Sequence, residues 1–516
     1  MTQRGLGKMV VGNILATSAT RYPDAPAFYC ASTSRRFTFR EVDARTNRLA
    51  QALLAQRFKR GDVVAFLLRN RAEIVEIYFA LARTGIVGLP LNYRLTEVEL
   101  VELMLSMGAK ALLYEQRFED VVLRLRESLP GLAPIIRIDG KAGAVGLDYE
   151  DLLAGAPARP PSIEIEEADP FYFNLTSGTT GVPKSYILTH YNNISLAAFF
   201  RTLDMSRGDV VMTVFPVFGR VGVGWIIGSI MYGVPNVLTN FEPQDVLRLI
   251  EAERVTIVNM VPTMAAMLLP VQAASPRDLK SLRAIVFAGA SLPASIREQS
   301  TRALCPAIYE YYGMNEMGAL AMSSPEDRRR RPDSVGKPIT FSEIRIVDEG
   351  GAELGPNQVG EILGRSPLGA VGYFDNPHQS AETFRDGWVR TGDLGHVDEE
   401  GYLFLRGRKK DIIITGGQNV YPAEVEEVIL SHDDVADCAV FGLPDDLWGE
   451  RVVGVVVPRP GAAVTLAQLE AFCRRKLAGF KVPKDFFLDA GPLPRTSTNK
   501  VQKFLLAERF GSRRSS

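Results

Sequence analysis

The sequence predicts a layered α/β protein, a large first domain followed by a small α+β unit, and three observations predict it. Apolar, β-branched runs alternate with helical patterns as far as Tyr311. From Ser342 onward the strands become short and turn-rich, and a compact unit follows the charged turn Arg406-Gly407-Arg408-Lys409-Lys410-Asp411. At 516 residues the chain is long for one domain, so the boundary is drawn at that turn, giving 1–408 and 409–516.

Taken in order, Val63 to Leu68 reads as a strand and Ala72 to Arg83 as the helix after it. Ala111 to Tyr114 and Val210 to Val214 are further strands, and Val246 to Arg254 is a helix leading into the strand Val255 to Asn259. The strand Ala284 to Ala288, a helix over Ala294 to Leu304 and the strand Ala307 to Tyr311 continue the alternation. A basic stretch, Glu326 to Asp333, is expected as a loop. The segments EIRIVDEGGAEL, VGEILGRS and GYLFLRGR predict a small antiparallel β subdomain. In the last unit, Ile412 to Thr415, Ala436 to Phe441 and Val452 to Val457 are strands, with helices over Ala423 to Leu430 and Leu466 to Leu477.

Composition removes several function classes. With 59 basic and 60 acidic residues the net charge is −1, which supplies no overall field for nucleic acid or an anionic membrane. Cys30, Cys305, Cys438 and Cys473 make no CxxC pair, so neither a disulfide framework nor a zinc knuckle is expected, and a reducing cytoplasm fits. No export signal is expected from the first residues. The longest apolar stretch, Val221 to Leu238, is broken by Gly222, Gly224, Gly228, Gly233 and Pro235. It is therefore expected as a buried core or pocket wall, with no integral membrane association.

After the strand Phe171 to Leu175 comes Thr176-Ser177-Gly178-Thr179-Thr180-Gly181-Val182-Pro183-Lys184, rich in the residue types that cradle phosphate. Glycines let backbone N–H groups turn toward an anion, hydroxyls add donors and a lysine adds charge. Gly178, Lys184 and Ser185 nearly match GxxxxGK[ST], but Pro183 stands where that motif has glycine; it has no N–H to give, which argues against a P-loop kinase or GTPase. Gly222, Gly224 and Gly228 are one residue too widely spaced for GxGxxG.

A loop of this kind, ending in proline and lysine, resembles the hallmark of adenylate-forming enzymes: acyl-CoA synthetases, aryl-CoA ligases, beetle luciferases and peptide-synthetase adenylation domains. The likeness covers nearly the whole chain, with further motifs in family order. Phe287-Ala288-Gly289-Ala290-Ser291-Leu292-Pro293 resembles the segment flanking adenine, and Glu310-Tyr311-Tyr312-Gly313-Met314-Asn315-Glu316 is similar to YGxTE, with Asn315 for the usual threonine. The resemblance implies that Tyr312 covers adenine and that Glu316, with Thr176, holds the magnesium accompanying ATP. Asp393, in Trp388-Val389-Arg390-Thr391-Gly392-Asp393, and Arg408 take the ribose; Lys410 is the hinge on which a mobile small domain turns between half-reactions. Pro494-Arg495-Thr496-Ser497-Thr498-Asn499-Lys500 resembles PxTxxGK and makes Lys500 the adenylation lysine, with Asn499 replacing glycine.

The chemistry implied is attack of a carboxylate on the α-phosphorus of ATP, giving acyl-AMP and pyrophosphate, followed by acyl transfer to CoA. The nucleophile is already ionised, so no general base is required, in keeping with four histidines, none in a triad-like setting. Gly416, Gly417, Trp448 and Phe480 resemble positions lining the CoA tunnel and nucleotide site, although domain-core packing explains the two aromatics equally well. Val482 replaces a basic residue often found there; the run Arg328 to Arg331 is a candidate for that CoA phosphate contact, although a solvated loop is the favoured reading.

Pro216-Val217-Phe218-Gly219-Arg220 aligns with the acyl-pocket segment PLFHxxG, which points to Phe218, Gly219, Val223, Gly313 and Met314 as pocket residues. No acidic residue lies between Val211 and Phe241 to bind an amine, so an apolar aryl, alicyclic or fatty acid is expected rather than an amino acid. Arg220 has two readings: inward, it pairs with the second carboxylate of a dicarboxylic acid; outward, it is a surface charge, which the cost of burial favours. A ligase charging a separate carrier protein is the alternative reading of the second step. The expected partners are a small carboxylic acid and CoA, and the expected assembly a homodimer.

Overall fold

The computed structural model describes residues 8–140, 145–175, 185–495 and 501–511. Two large, mostly parallel sheets form its centre. One has seven strands in the order Leu147–Asp148, Ile135–Ile138, Ala109–Glu115, Val63–Leu67, Val87–Pro90, Pro170–Leu175 and Ser185–Thr189. The other has nine: Lys337–Pro338, Gly318–Ser323, Ile308–Met314, Ala284–Phe287, Ile257–Met260, Val211–Thr213, Asn236–Leu238, Pro26–Cys30 and Arg35–Thr38. Between them lies a layer of helices, Val11–Arg21, Phe39–Ala55, Ala72–Thr84 and Arg220–Tyr232, whose buried side chains make one core with Phe28, Cys30, Phe66, Leu113 and Phe171 from the sheets. Helices Glu97–Ser106 and Glu119–Ser128 cover the outer face of the first sheet, and Pro243–Ala252 and Pro262–Ala274 that of the second.

The expected alternation holds element by element, with ends shifted by a few residues. The stretch Val221 to Leu238 forms the buried helix Arg220–Tyr232 and the buried strand Asn236–Leu238, as a core segment should. Among the described residues no helix is long and apolar enough to cross a membrane. One expectation is corrected: Glu326 to Asp333 is not simply a loop. Pro325–Arg330 is a helix, because Ser324 and Asp327 form a capping box and Pro325 fits its first turn.

A third, antiparallel sheet follows, Glu343–Val347, Gly360–Arg365, Trp388–Val397 and Phe384–Arg385 in order, with Leu403–Arg408 paired to Trp388–Val397. The short turn Lys409–Asp411 leads from it to a fourth sheet built from Ile413–Thr415, Gln418–Val420, Val435–Asp445, Gly449–Pro458 and Asp485–Leu488, with helices Pro422–Leu430 and Leu466–Lys476.

One buried group gives the first domain a pH dependence. His190 is wholly buried, stacked on Phe171 with ring centroids 5.2 Å apart, and its Nδ1 accepts the Val11 N–H at 3.2 Å; its Nε2 has no partner among the described residues. Burial pushes its pKa down to about 4 from an ordinary 6.5. The fold therefore favours neutral imidazole: stability is full above pH 6.5 and is lost as pH falls toward 4, by up to about 3 kcal/mol. In His190→Asn, which keeps an acceptor for Val11, denaturant midpoints measured between those pH values should fall less steeply than in the wild type. Equal slopes in the two proteins would remove His190 as the cause.

Candidate active site

The strand Ile308–Met314 carries the central motif into the nine-stranded sheet, parallel to Ala284–Phe287 and antiparallel to Gly318–Ser323. Strand alternation puts Glu310 and Tyr312 on one face and Tyr311 on the other. Tyr311 packs edge-on against Phe199, with centroids 5.1 Å apart. Tyr312 is buried and its hydroxyl donates to Asp393 Oδ2 at 2.7 Å. Asp393 Oδ1 is 2.7 Å from Arg408 Nε, and the two residues are cross-strand partners in the third sheet. Thr391 holds this corner, donating to the Ile362 carbonyl at 2.8 Å and accepting the Asp393 N–H at 3.0 Å. Burial, with the Asp393 charge beside it, keeps the Tyr312 phenol protonated as a donor. Tyr312, Asp393 and Arg408, distant in sequence, thus meet at one corner.

Glu310 turns away from this cluster. Its carboxylate accepts the Leu292 N–H at 3.3 Å and pairs with Arg328. Burial raises its pKa against the opposing pull of Arg328. Glu310 therefore braces the turn after Ala284–Phe287, where Gly289, at φ +82°, Ala290 and Ser291 lie exposed. Here a second expectation is corrected: Arg328 is not solvated but packed on Glu310, while Arg330 and Arg331 are paired with Glu400.

Glu316 is buried just past the strand. Tyr373 Oη donates to its Oε1 at 2.9 Å, and its own carbonyl accepts the Ala370 N–H at 2.8 Å. Burial and the Glu316 charge push the Tyr373 phenol up, so it stays a donor. Among the described residues only Tyr373 hydrogen-bonds this carboxylate, which leaves Oε2 for a hard cation. No cluster of three or more metal-ligating side chains lies among the described residues, so this one carboxylate could serve only a cation whose other ligands come with it, as magnesium does with phosphate. Tyr373 was missed in the sequence; the only local signal is an aromatic pair, Tyr373-Phe374, within turn residues. Gly313 has no room for a side chain, since a Cβ there would lie 2.0 Å from the Gly318 carbonyl oxygen.

On the acyl side, Phe218 meets Tyr93 edge-on at 5.2 Å, Gly219 caps the helix Arg220–Tyr232, and Met314 is half-buried. Val223 is wholly inside the core between the sheets, so it supports the segment from behind rather than facing a ligand. Arg220 is not the free surface charge of one reading: it is half-buried, and its guanidinium donates to the carbonyls of Asn315 and Leu368.

In the last unit, Gly416 and Gly417 take φ of +57° and +75°, and the Gly416 N–H donates to the Trp448 carbonyl at 2.8 Å. Trp448 and Phe480 are exposed rather than packed in the core, with Lys484 Nζ 5.3 Å from the Trp448 ring and Lys481 Nζ 5.8 Å from that of Phe480. Val482 is buried. Lys410 is exposed in the connecting turn. Thr176, Ser177, Gly178, Thr179, Thr180, Gly181, Lys184 and Lys500 lie outside the described residues.

Two α/β layers, with an antiparallel sheet that brings Asp393 and Arg408 to Tyr312, define an adenylate-forming enzyme. The chain belongs to the AMP-binding enzyme family: residues 15–374 match that family and residues 424–500 match its C-terminal domain. It is 34% identical over 525 residues to a feruloyl-CoA synthase of an Amycolatopsis species, covering 99% of this chain and 100% of that protein. It is 32% identical over 505 residues to a fatty acid–acyl-carrier-protein ligase of Streptomyces coeruleorubidus, covering 95% of each. Among solved structures, the o-succinylbenzoate CoA synthetase of Bacillus subtilis in complex with ATP and magnesium superposes with a TM-score of 0.84 at 31% identity, covering 96% of this chain and 99% of that one.

Proposed function

We propose that this protein is an ATP-dependent acid–CoA ligase that converts an apolar carboxylic acid to its acyl adenylate, releasing pyrophosphate, and then passes the acyl group to CoA, releasing AMP. The observation that carries this reading is the convergence of Tyr312, Asp393 and Arg408, with the buried carboxylate of Glu316 in the same motif as Tyr312. Asp393, whose carboxylate accepts from Tyr312 and pairs with Arg408, is the group that would take the two ribose hydroxyls. Magnesium, bound with ATP, neutralises phosphate charge, and Glu316, oriented by Tyr373, would hold it. The glycine-rich loop and Lys500 would bear on the phosphates, and the exposed Gly289–Ser291 turn lets backbone approach a flat base. Exposed Trp448, with Lys484 beside it, and exposed Phe480 suit the adenine and phosphates of CoA, while Lys481 beside Phe480 is paired with Glu424.

In the same reading the chain divides near Lys410, where the third sheet ends and the fourth begins, and residues 409–516 turn about that point between the half-reactions. The acid is aryl, alicyclic or fatty. A dicarboxylate would have to reach Arg220 through the N–H donors left after two go to the Asn315 and Leu368 carbonyls.

Pyrophosphate release across benzoates, cinnamates, fatty acids, dicarboxylates and amino acids, with and without CoA, tests the reading. Multiple turnover on adding CoA with one apolar class is expected. Release held near one equivalent despite CoA, and relieved by a carrier protein, would replace CoA with that acceptor. A narrower test is Asp393→Ala, which should weaken ATP binding about tenfold by calorimetry; unchanged affinity would end the ribose role.

A further inference from the structure

Arg220 opens the helix Arg220–Tyr232, an end where the helix dipole disfavours a cation, and no acidic residue occupies that first turn to offset it. No carboxylate lies within ion-pair distance of it among the described residues. Its donors instead reach two carbonyls, Asn315 and Leu368, on separate parts of the chain. The approach is made possible by Gly318: a Cβ on that residue would lie 2.9 Å from an Arg220 terminal nitrogen. The Asn315 carbonyl also accepts from Tyr186, whose hydroxyl in turn accepts from Asn174, and both Tyr186 and Asn174 are buried.

These contacts bracket Glu316. The carbonyl before it is held by Arg220 and Tyr186, and its own carbonyl by the Ala370 N–H at 2.8 Å. The loop bearing Leu368 and Ala370 is gripped from below by Asn192, which donates to the Pro367 and Gly369 carbonyls at 3.0 and 2.8 Å.

We infer that Arg220 is a positioning residue: it locks the Asn315–Glu316 peptide and the Leu368 loop into one unit and so ties the acyl segment beginning at Pro216 to the magnesium carboxylate. This rests on the reading of Glu316 as the magnesium ligand. A movement of the acyl segment is then felt at the metal, and the metal's geometry at the acyl segment, through one side chain.

The test compares Arg220→Met, Arg220→Lys and Glu316→Gln with the wild type. ATP is titrated by calorimetry across magnesium concentrations, and pyrophosphate release is followed with whichever panel acid is turned over, alongside malonate. Arg220→Met should raise the magnesium needed for half-maximal rate and lower kcat, each by about tenfold, with KM for the monocarboxylic acid little changed. Arg220→Lys, able to reach one carbonyl, should fall between, and it carries the test if the methionine variant does not fold. An unchanged magnesium requirement in the Arg220 variants while Glu316→Gln raises it would overturn the inference alone. An unchanged requirement in Glu316→Gln would overturn the metal reading and the inference with it. A defect confined to malonate would make Arg220 a substrate ligand instead.

Discussion

Replacing Lys500 with alanine should cut pyrophosphate release from acid and ATP by about 10²- to 10³-fold while leaving thioester formation from a supplied acyl adenylate near the wild-type rate. The asymmetry follows from where charge develops. As the carboxylate oxygen closes on the α-phosphorus, negative charge builds on phosphate oxygens, and an ammonium at neutral pH meets it. In the second step AMP is already the leaving group of a mixed anhydride, and a thiol attacks its carbonyl carbon. The chain on either side of Lys500 is firmly held: Arg495 bridges Val501, the Gln502 N–H donates to the Pro494 carbonyl at 2.8 Å, Arg495 pairs with Asp437, and Lys503 lies 2.7 Å from Glu426. Rapid-quench measurement of each half-reaction decides the matter. Equal loss in both would show a general disturbance rather than a role in adenylation.

Gly313→Ala is the second large effect expected, and it is one of folding before catalysis. The added methyl would overlap the Gly318 carbonyl and lie 2.9 Å from the Ala319 Cα, so the obstacle is backbone on the adjacent strand and cannot swing aside. Pairing already shifts register between Tyr312 and Gly313, and any relief must pull Tyr312 or Glu316 from its partners. A cost of about 3 kcal/mol or more follows, with a fall of roughly 5 °C or more in Tm and weaker ATP binding in whatever protein folds. A variant with wild-type Tm and ATP affinity would show that the strands part easily here.

The layers were legible because buried parallel strands and amphipathic helices leave strong local patterns, as in Val63–Leu67 followed by Ala72–Thr84. The meeting of Tyr312, Asp393 and Arg408 was legible only through motif resemblance, since no local rule relates residues on different sheets. What stayed hidden were partners chosen by tertiary contact. Arg328 reads as one of four solvated arginines until Glu310 is seen beneath it, and Arg220 reads as a surface charge until two carbonyls, each at the end of another segment, come within reach. Backbone carbonyls are present at every position, so a side chain that seeks one has no signature in the partner's sequence. Tyr373 escaped for the converse reason: its phenol acts on Glu316 from 57 positions away.

The strand order also sets a schedule for synthesis. Phe28 pairs with Asn236, so the hairpin Pro26–Thr38 leaves the ribosome long before the strand that receives it. At ~5–20 residues per second that interval is roughly 10–40 s. Meanwhile the seven-stranded sheet, drawn wholly from Val63 to Thr189, can close. The nascent chain therefore holds an open sheet edge near its start while a complete layer forms behind it, and the hairpin docks only when Asn236–Leu238 emerges, before the remaining strands of its own sheet, Ile257 to Pro338, are made.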